Sequence, residues 1–245
     1  MKKRFETLDS IRGIAVVSMV LFHLMYDINE VFTNNTSWSS QSLVHLWQRS
    51  ICFTFIIVSG FVWSYGKRRA LKRGLFLSAV GIGVTAVTLL FMPNAPIIFG
   101  VMSFFGCAVL LMIPAEKLLH HVSPYIGALL SLALFLLTEN ISYGSLRVFG
   151  HVICKLPKAL YSSNLGIPFG FIPKGFFSSD YYPLLPWIFL YFFGYFLERA
   201  IGKSRFFEKI GHIKESVFSF VGRHAVVIYI LHQPICYGLC MLIFT

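Results

Sequence analysis

Seven apolar runs set the limits on what this chain can fold into. They cover residues 8–31, 45–65, 75–91, 97–113, 124–138, 184–197 and 217–244, and short charged or proline- and glycine-bearing stretches separate them. A helix needs roughly 17–25 apolar residues to cross a bilayer. The runs at 124–138 and 184–197 fall short of that, and the others reach it. In lipid, every backbone N–H and C=O must be satisfied within its own segment, so such runs fold as helices. The expected fold is all-α: a polytopic transmembrane helix bundle of about seven spans. It forms one membrane domain over residues 1–245, with no internal repeat and no soluble second domain.

Composition agrees. Apolar residues make up 56% of the chain and charged ones 13%, against about a quarter charged in soluble domains; mean hydropathy is +0.72. The net charge of +11 would suggest a nucleic-acid partner in a soluble protein. Here no basic, aromatic-interleaved domain stands outside the apolar runs, so the lipid bilayer is expected as a partner and nucleic acid is not. The lysines and arginines set orientation instead. The stretches MKKR (1–4), KRRALKR (67–73) and ERAIGKSRFFEKIGHIK (198–214) fall on one side of the seven-span arrangement, as does EKLLHH (116–121). By the positive-inside rule that side is cytoplasmic, which puts the N-terminus inside and the C-terminus outside. The basic start has the look of a secretory signal. Asp9, Arg12, His23 and Asp27 interrupt its apolar core, however, and no small-x-small cleavage site follows, so a retained first helix is expected.

The cysteines are Cys52, Cys107, Cys154, Cys236 and Cys240. They form no CxxC pair, and a packing role is expected rather than a disulfide framework or a metal site. Residues 139–183 form a long extracytoplasmic loop, too long for a plain connector. Its phenylalanines and tyrosines argue against disorder, and it suits an interfacial segment or a lid.

The first run carries the chemistry. Arg12, Val16, Met19, His23 and Asp27 recur at intervals of three and four, which puts them on one helical face. At 1.5 Å per residue, His23 lies about 16 Å along the axis from Arg12. Ionisable groups inside a membrane are costly and mark functional positions. Asp27, at i+4 from His23, is placed to interact with it and raise its basicity, which makes His23 a credible general base; a structural interhelical contact is the alternative. The last run repeats the theme. Arg223 and His224 sit near its inner end, and Tyr229, His232 and Gln233 lie deeper, just before Pro234, where a loosened helix ladder suits a cavity wall. Arg49, near the outer end of the second run, is a candidate to neutralise Asp27 or face a ligand. Ser59–Gly60 reads as a close-packing pair, and Trp187 with its neighbouring tyrosines as an interfacial belt. No P-loop, GxSxG elbow, HExxH or dinucleotide fingerprint occurs.

Four stretches in order, LDSIRGIAVVSMVLFHLMYD (8–27), FIIVSGF (55–61), YYPLLPWIFLYFFGY (181–195) and GRHAVVIYILHQP (222–234), resemble the heparan-α-glucosaminide N-acetyltransferase catalytic-domain family, part of the wider transmembrane acyltransferases. The first two also resemble the acyltransferase-3 family. The resemblance implies transfer of an acyl group, usually acetyl, from coenzyme A to an amine or hydroxyl of a sugar across the membrane. The motif histidine maps onto His23 and the motif arginine onto Arg12. The chain is much shorter than the large lysosomal enzyme of that family, so a cell-envelope glycan in a bacterial plasma membrane is expected as acceptor.

The mechanism this implies has His23 as general base, with Asp27 orienting it. Arg12, Arg223 and His224 bind the phosphates of acetyl-CoA, helped by the basic loop 67–73, while His232 and Gln233 line the cavity near the thioester. Direct attack and an acyl-histidine intermediate both remain open, no metal is called for, and a homodimer is compatible. A small transporter or channel with a His/Asp proton relay is the main alternative, and a non-catalytic partner subunit a further one.

Overall fold

A computed structural model of the protein describes residues 6–148, 150–202, 204 and 216–244. The basic stretches 1–4 and 205–214, on which part of the expected orientation rests, lie outside the described residues. Nine α-helices occur among those described: α1 (Glu6–Tyr26), α2 (Ser42–Phe61), α3 (Trp63–Gly66), α4 (Ala70–Phe91), α5 (Val101–Leu119), α6 (Pro124–Thr138), α7 (Leu184–Ile201), α8 (Val217–Arg223) and α9 (Ala225–Phe244). Among the described residues, seven helical segments are long and apolar enough to cross a membrane. Large apolar side chains such as Ile82, Leu90 and Phe91 on α4 stand exposed on the bare protein, where a bilayer would cover them.

The helix boundaries depart from the apolar runs for local reasons. The third span begins well before residue 75, because α3 passes through a 3₁₀ turn (Lys67–Arg69) straight into α4. Lysine and arginine are good helix formers, so the basic stretch is helical rather than a loop. α5 starts at Val101, where the Asp180 carboxylate accepts a hydrogen bond from the Val101 N–H (3.2 Å), which has no partner within the helix. It ends under Arg199, whose guanidinium donates to the carbonyls of Leu119, His120 and Val122 at 3.0 Å each. The seventh run is split: His224 adopts a non-helical conformation (φ −102°, ψ 15°) and separates α8 from α9, whereas α9 continues through Pro234.

The described residues fall into two compact units. One comprises α1, most of α2, α8 and α9. Its core gathers Met19, Phe22, Val44 and Ile51, with Trp38 and Trp47 packed against them. The other runs from Ser59 to Ala200. There α4 and α5 approach through small residues on both sides: a Cβ added at Gly81 would lie 2.4 Å from Ser103 Oγ, and one at Gly106 would lie 2.3 Å from Ser78 Oγ. Without a hydrophobic drive between helices in lipid, such close approach is how they gain contact.

The long loop is ordered. An antiparallel hairpin pairs β1 (Ser145–Val148) with β2 (His151–Lys155), and 3₁₀ turns follow at Lys158–Tyr161 and Asn164–Phe169. Two phenols pin it: Tyr161 donates to Ile141 O (2.5 Å) and Tyr181 to Ile167 O (2.6 Å). Burial raises the pKa of both hydroxyls, so they stay protonated donors.

Candidate active site

The site grows from a helix crossing. A Cβ built on Gly13 of α1 would lie 1.8 Å from Phe218 O, and one on Gly222 of α8 would lie 1.8 Å from Asp9 O. Each glycine thus accepts the other helix's backbone, and no other residue fits either position. The crossing fixes the level of the residues beside it. Arg12 forms an ion pair with Asp9 (3.3 Å), and Ser10 and Ser216 hydroxyls meet at 3.0 Å. Arg223 immediately follows Gly222. His224, at the break into α9, sets its Nδ1 2.9 Å from Phe220 O and stacks on the Phe220 ring at 4.5 Å. The candidate donor-binding residues Arg12, Arg223 and His224 are therefore at one end of this unit.

Further along, α1 turns Val20, His23 and Asp27 toward α9. The rings of His23 and His232 are 4.7 Å apart between centroids, inclined at 60°. Gln233 Nε2 donates to Asp27 Oδ1 at 2.9 Å, and Cys236 Sγ approaches Val20 O at 3.9 Å. Spacing of four offers His23 as the partner of Asp27, but the carboxylate takes its hydrogen bond from Gln233. The cause is local: α1 gives way at Asp27 to a π-helical turn (Asp27–Phe32), which winds more widely than an α-helix and changes where that side chain points. π-helical turns of this kind occur often at functional sites. Arg49, the other expected partner, lies on an exposed face of α2 over the Phe53 ring, 5.5 Å from its centroid.

Polar satisfaction is incomplete here, and in one sense only. Asp27 is 1% exposed and His232 7% exposed. Asp27 Oδ2, Gln233 Oε1 and His232 Nε2 are all buried without a hydrogen-bond partner. His232 Nδ1 lies 2.6 Å from Tyr229 O. A carbonyl oxygen only accepts, so in this bond Nδ1 carries the proton and Nε2 presents its lone pair. All three unpartnered atoms are then acceptors. Buried polar atoms are nearly always paired in folded proteins, and a cluster of unpaired ones marks a functional position. The walls are aromatic. Phe22 contacts His23 edge-on at 5.8 Å and packs on Trp38 and Trp47, while Trp47 Nε1 donates to Ser18 Oγ at 2.8 Å.

The structure thus brings together His23, Asp27, His232 and Gln233 on two helices. Trp47, Ser18 and the Gly13–Gly222 pair were not singled out by sequence reasoning. The glycines next to Arg12 and Arg223 were the one visible signal. Ser59–Gly60 and residues 180–187 take structural parts: Gly60 receives the Tyr191 carbonyl, Asp180 caps α5, and Trp187 packs on Phe135 and Tyr182. Among the described residues, no three His, Cys, Asp or Glu side chains converge to hold a metal ion.

No curated protein and no solved structure matches the chain. A family model does: that of the catalytic region of heparan-alpha-glucosaminide N-acetyltransferase, over residues 4–234, which takes in the glycine crossing and all four residues of the polar cluster. The chain, seven of whose described helical segments are long and apolar enough to cross a membrane, belongs to the heparan-alpha-glucosaminide N-acetyltransferase catalytic family and is a multi-pass membrane acetyltransferase.

Proposed function

We propose that this protein moves an acetyl group from acetyl-CoA on the cytoplasmic side to an amine or hydroxyl of a cell-envelope glycan on the other, in a bacterial plasma membrane, with its N-terminus inside. The three buried acceptors beside the paired imidazoles carry the proposal. A hydroxyl or amine brings the donors that such a cluster lacks. His23 takes the proton from the attacking oxygen or nitrogen as it bonds to the thioester carbonyl carbon; the C–S bond then breaks, and His23 returns the proton to the leaving thiolate. Asp27, tied to Gln233, keeps the two helices in register so that His23 faces His232. With Nδ1–H committed to Tyr229 O, His232 suits proton acceptance beside His23 better than donation to an oxyanion. Arg12, Arg223 and His224, at the other end of the unit, bind the donor's phosphates. Their orientation toward the cytoplasm follows from the distribution of Lys and Arg.

Thermal melting with acetyl-CoA tests this. A ligand that binds only the folded state raises the midpoint. Wild type and His23→Ala should be stabilised, and Arg223→Ala should not. Absence of any shift in folded wild type would remove the donor and favour a proton-coupled transporter built on the same residues.

A further inference from the structure

The loop that joins the π-helical turn to α2 has a composition of its own. Residues 33–41 read TNNTSWSSQ, eight neutral hydrogen-bonding side chains and one tryptophan. The loop folds back on the turn that carries Asp27. Thr33 N donates to Ile28 O (3.0 Å), Asn35 N to Asn29 O (2.7 Å) and Ser39 N to the Glu30 carboxylate (2.8 Å). Asn34 takes a left-handed conformation (φ 53°), which asparagine tolerates and which helps the chain reverse. These contacts lay Trp38 on Phe22, 5.6 Å between ring centroids, and Phe22 meets the His23 ring at 5.8 Å. One ring therefore separates Trp38 from His23. Phe22 is 8% exposed, whereas Trp38 is only half-buried and keeps part of its indole open. The side chains of Asn34, Thr36 and Gln41 in the same loop are exposed. A tryptophan serving the core alone has no need of so many hydrogen-bonding neighbours, and a plain connector has no need of the tryptophan.

A pyranose ring presents the matching pair of surfaces. Its C–H face packs on an aromatic ring, and its hydroxyl edge both donates and accepts hydrogen bonds. Tryptophan supplies a rigid apolar face at low entropic cost. Asparagine, glutamine, serine and threonine side chains donate and accept, as hydroxyl groups require. The charges narrow the choice of sugar. Residues 24–48 contain no lysine or arginine, and the carboxyl side chains among them are Asp27 and Glu30. A sulfate, phosphate or carboxylate on the sugar would find acids here and no guanidinium or ammonium to pair with.

We propose that residues 33–41 form the sugar subsite for the acceptor, with Trp38 as its stacking platform and with selectivity for units that bear no sulfate, phosphate or carboxylate. The proposal rests on the reading of the protein as a glycan acetyltransferase. It adds a specificity: acidic glycans are poor acceptors for this chain.

The test measures sugar binding to purified full-length protein without acetyl-CoA, so it does not depend on turnover. The probes are the β-1,4-linked tetramer of N-acetylglucosamine, its de-acetylated counterpart and a heparin tetrasaccharide, followed by binding heat and tryptophan fluorescence. Wild type should bind the first two and bind the sulfated probe at least about tenfold more weakly at low salt. Trp38→Ala should weaken binding about three- to tenfold, the scale of one lost stacking contact, and Trp38→Phe should restore most of it. The exposed double variant N34A/Q41A should weaken it severalfold with the melting midpoint unchanged, and it decides the matter if Trp38→Ala fails to fold. No binding of any probe by folded wild type, tighter binding of the sulfated probe, or wild-type affinity in the folded variants overturns the subsite. Binding that follows this pattern in a protein unable to transfer acetyl would keep the subsite and remove the transferase reading. Acetyl transfer whose acceptor KM is unchanged in the variants would do the reverse.

Discussion

Replacing either crossing glycine by alanine should loosen the unit that holds the polar cluster. In Gly13→Ala the new methyl would meet Phe218 O at 1.8 Å, and in Gly222→Ala it would meet Asp9 O at the same distance. Both lie 1.2 Å inside the 3.0 Å floor that real Cβ contacts respect. The atom met is a backbone carbonyl in each case, so no rotamer change relieves the clash and α1 and α8 must separate. Overpacking costs about 1–3 kcal/mol, and a backbone obstacle puts each change near the upper end. By size scaling, that lowers the melting midpoint on the order of 5–10 °C. The pair has a further signature. Once one alanine has pushed the helices apart, the second finds the space already opened, so the double variant should cost clearly less than the two single changes together. Neighbouring sites that share one contact couple in this way. The assay is thermal unfolding in detergent of wild type, both single variants and the double. Wild-type midpoints in the single variants, or strict additivity in the double, would refute the crossing.

Gln233→Leu removes the one donor to the buried Asp27 carboxyl among the described residues and should cost about 1–3 kcal/mol, because a buried acceptor is left unmet. Chemical denaturation measures it, and a change below about 0.5 kcal/mol would contradict the hydrogen bond. The phenols of Tyr161 and Tyr181 are held protonated, so their contribution to the loop is complete below the free tyrosine pKa of about 10 and is lost as pH rises through their raised values. Spectrophotometric titration of wild type against Tyr161→Phe and Tyr181→Phe should show two phenols ionising above the ordinary range; ionisation near 10 for both would contradict it.

Much of this was legible in the sequence because lipid simplifies the code. A backbone that must satisfy itself leaves helices as the reading of every apolar run, and α6 occupies residues 124–138 as expected. Helix ends were harder, since they depend on partners far away in sequence. Asp180 starts α5 from a position 79 residues later, and Arg199 closes it from 80 residues beyond Leu119. His23, Asp27, His232 and Gln233 stood out as polar residues in apolar surroundings. Their pairing did not. A spacing of four implies a partner only while the α-helix continues, and the π-helical turn at Asp27 changes the geometry at that residue. The Gly13–Gly222 contact involves no side-chain pattern at all, so only three-dimensional placement reveals why those glycines flank Arg12 and Arg223.

The most direct test of the central claim is acetyl transfer itself. Protein reconstituted in liposomes would be supplied with labelled acetyl-CoA on one side and an envelope-glycan extract rich in amino sugars on the other, with wild type, His23→Ala and His232→Ala compared after each is shown to be folded. The account predicts labelled glycan with wild type, a loss of about 10²–10⁴-fold in rate for His23→Ala with binding of acetyl-CoA retained, and a marked loss for His232→Ala. A folded His23→Ala protein that transfers at the wild-type rate, or folded wild type that labels no acceptor, would contradict it.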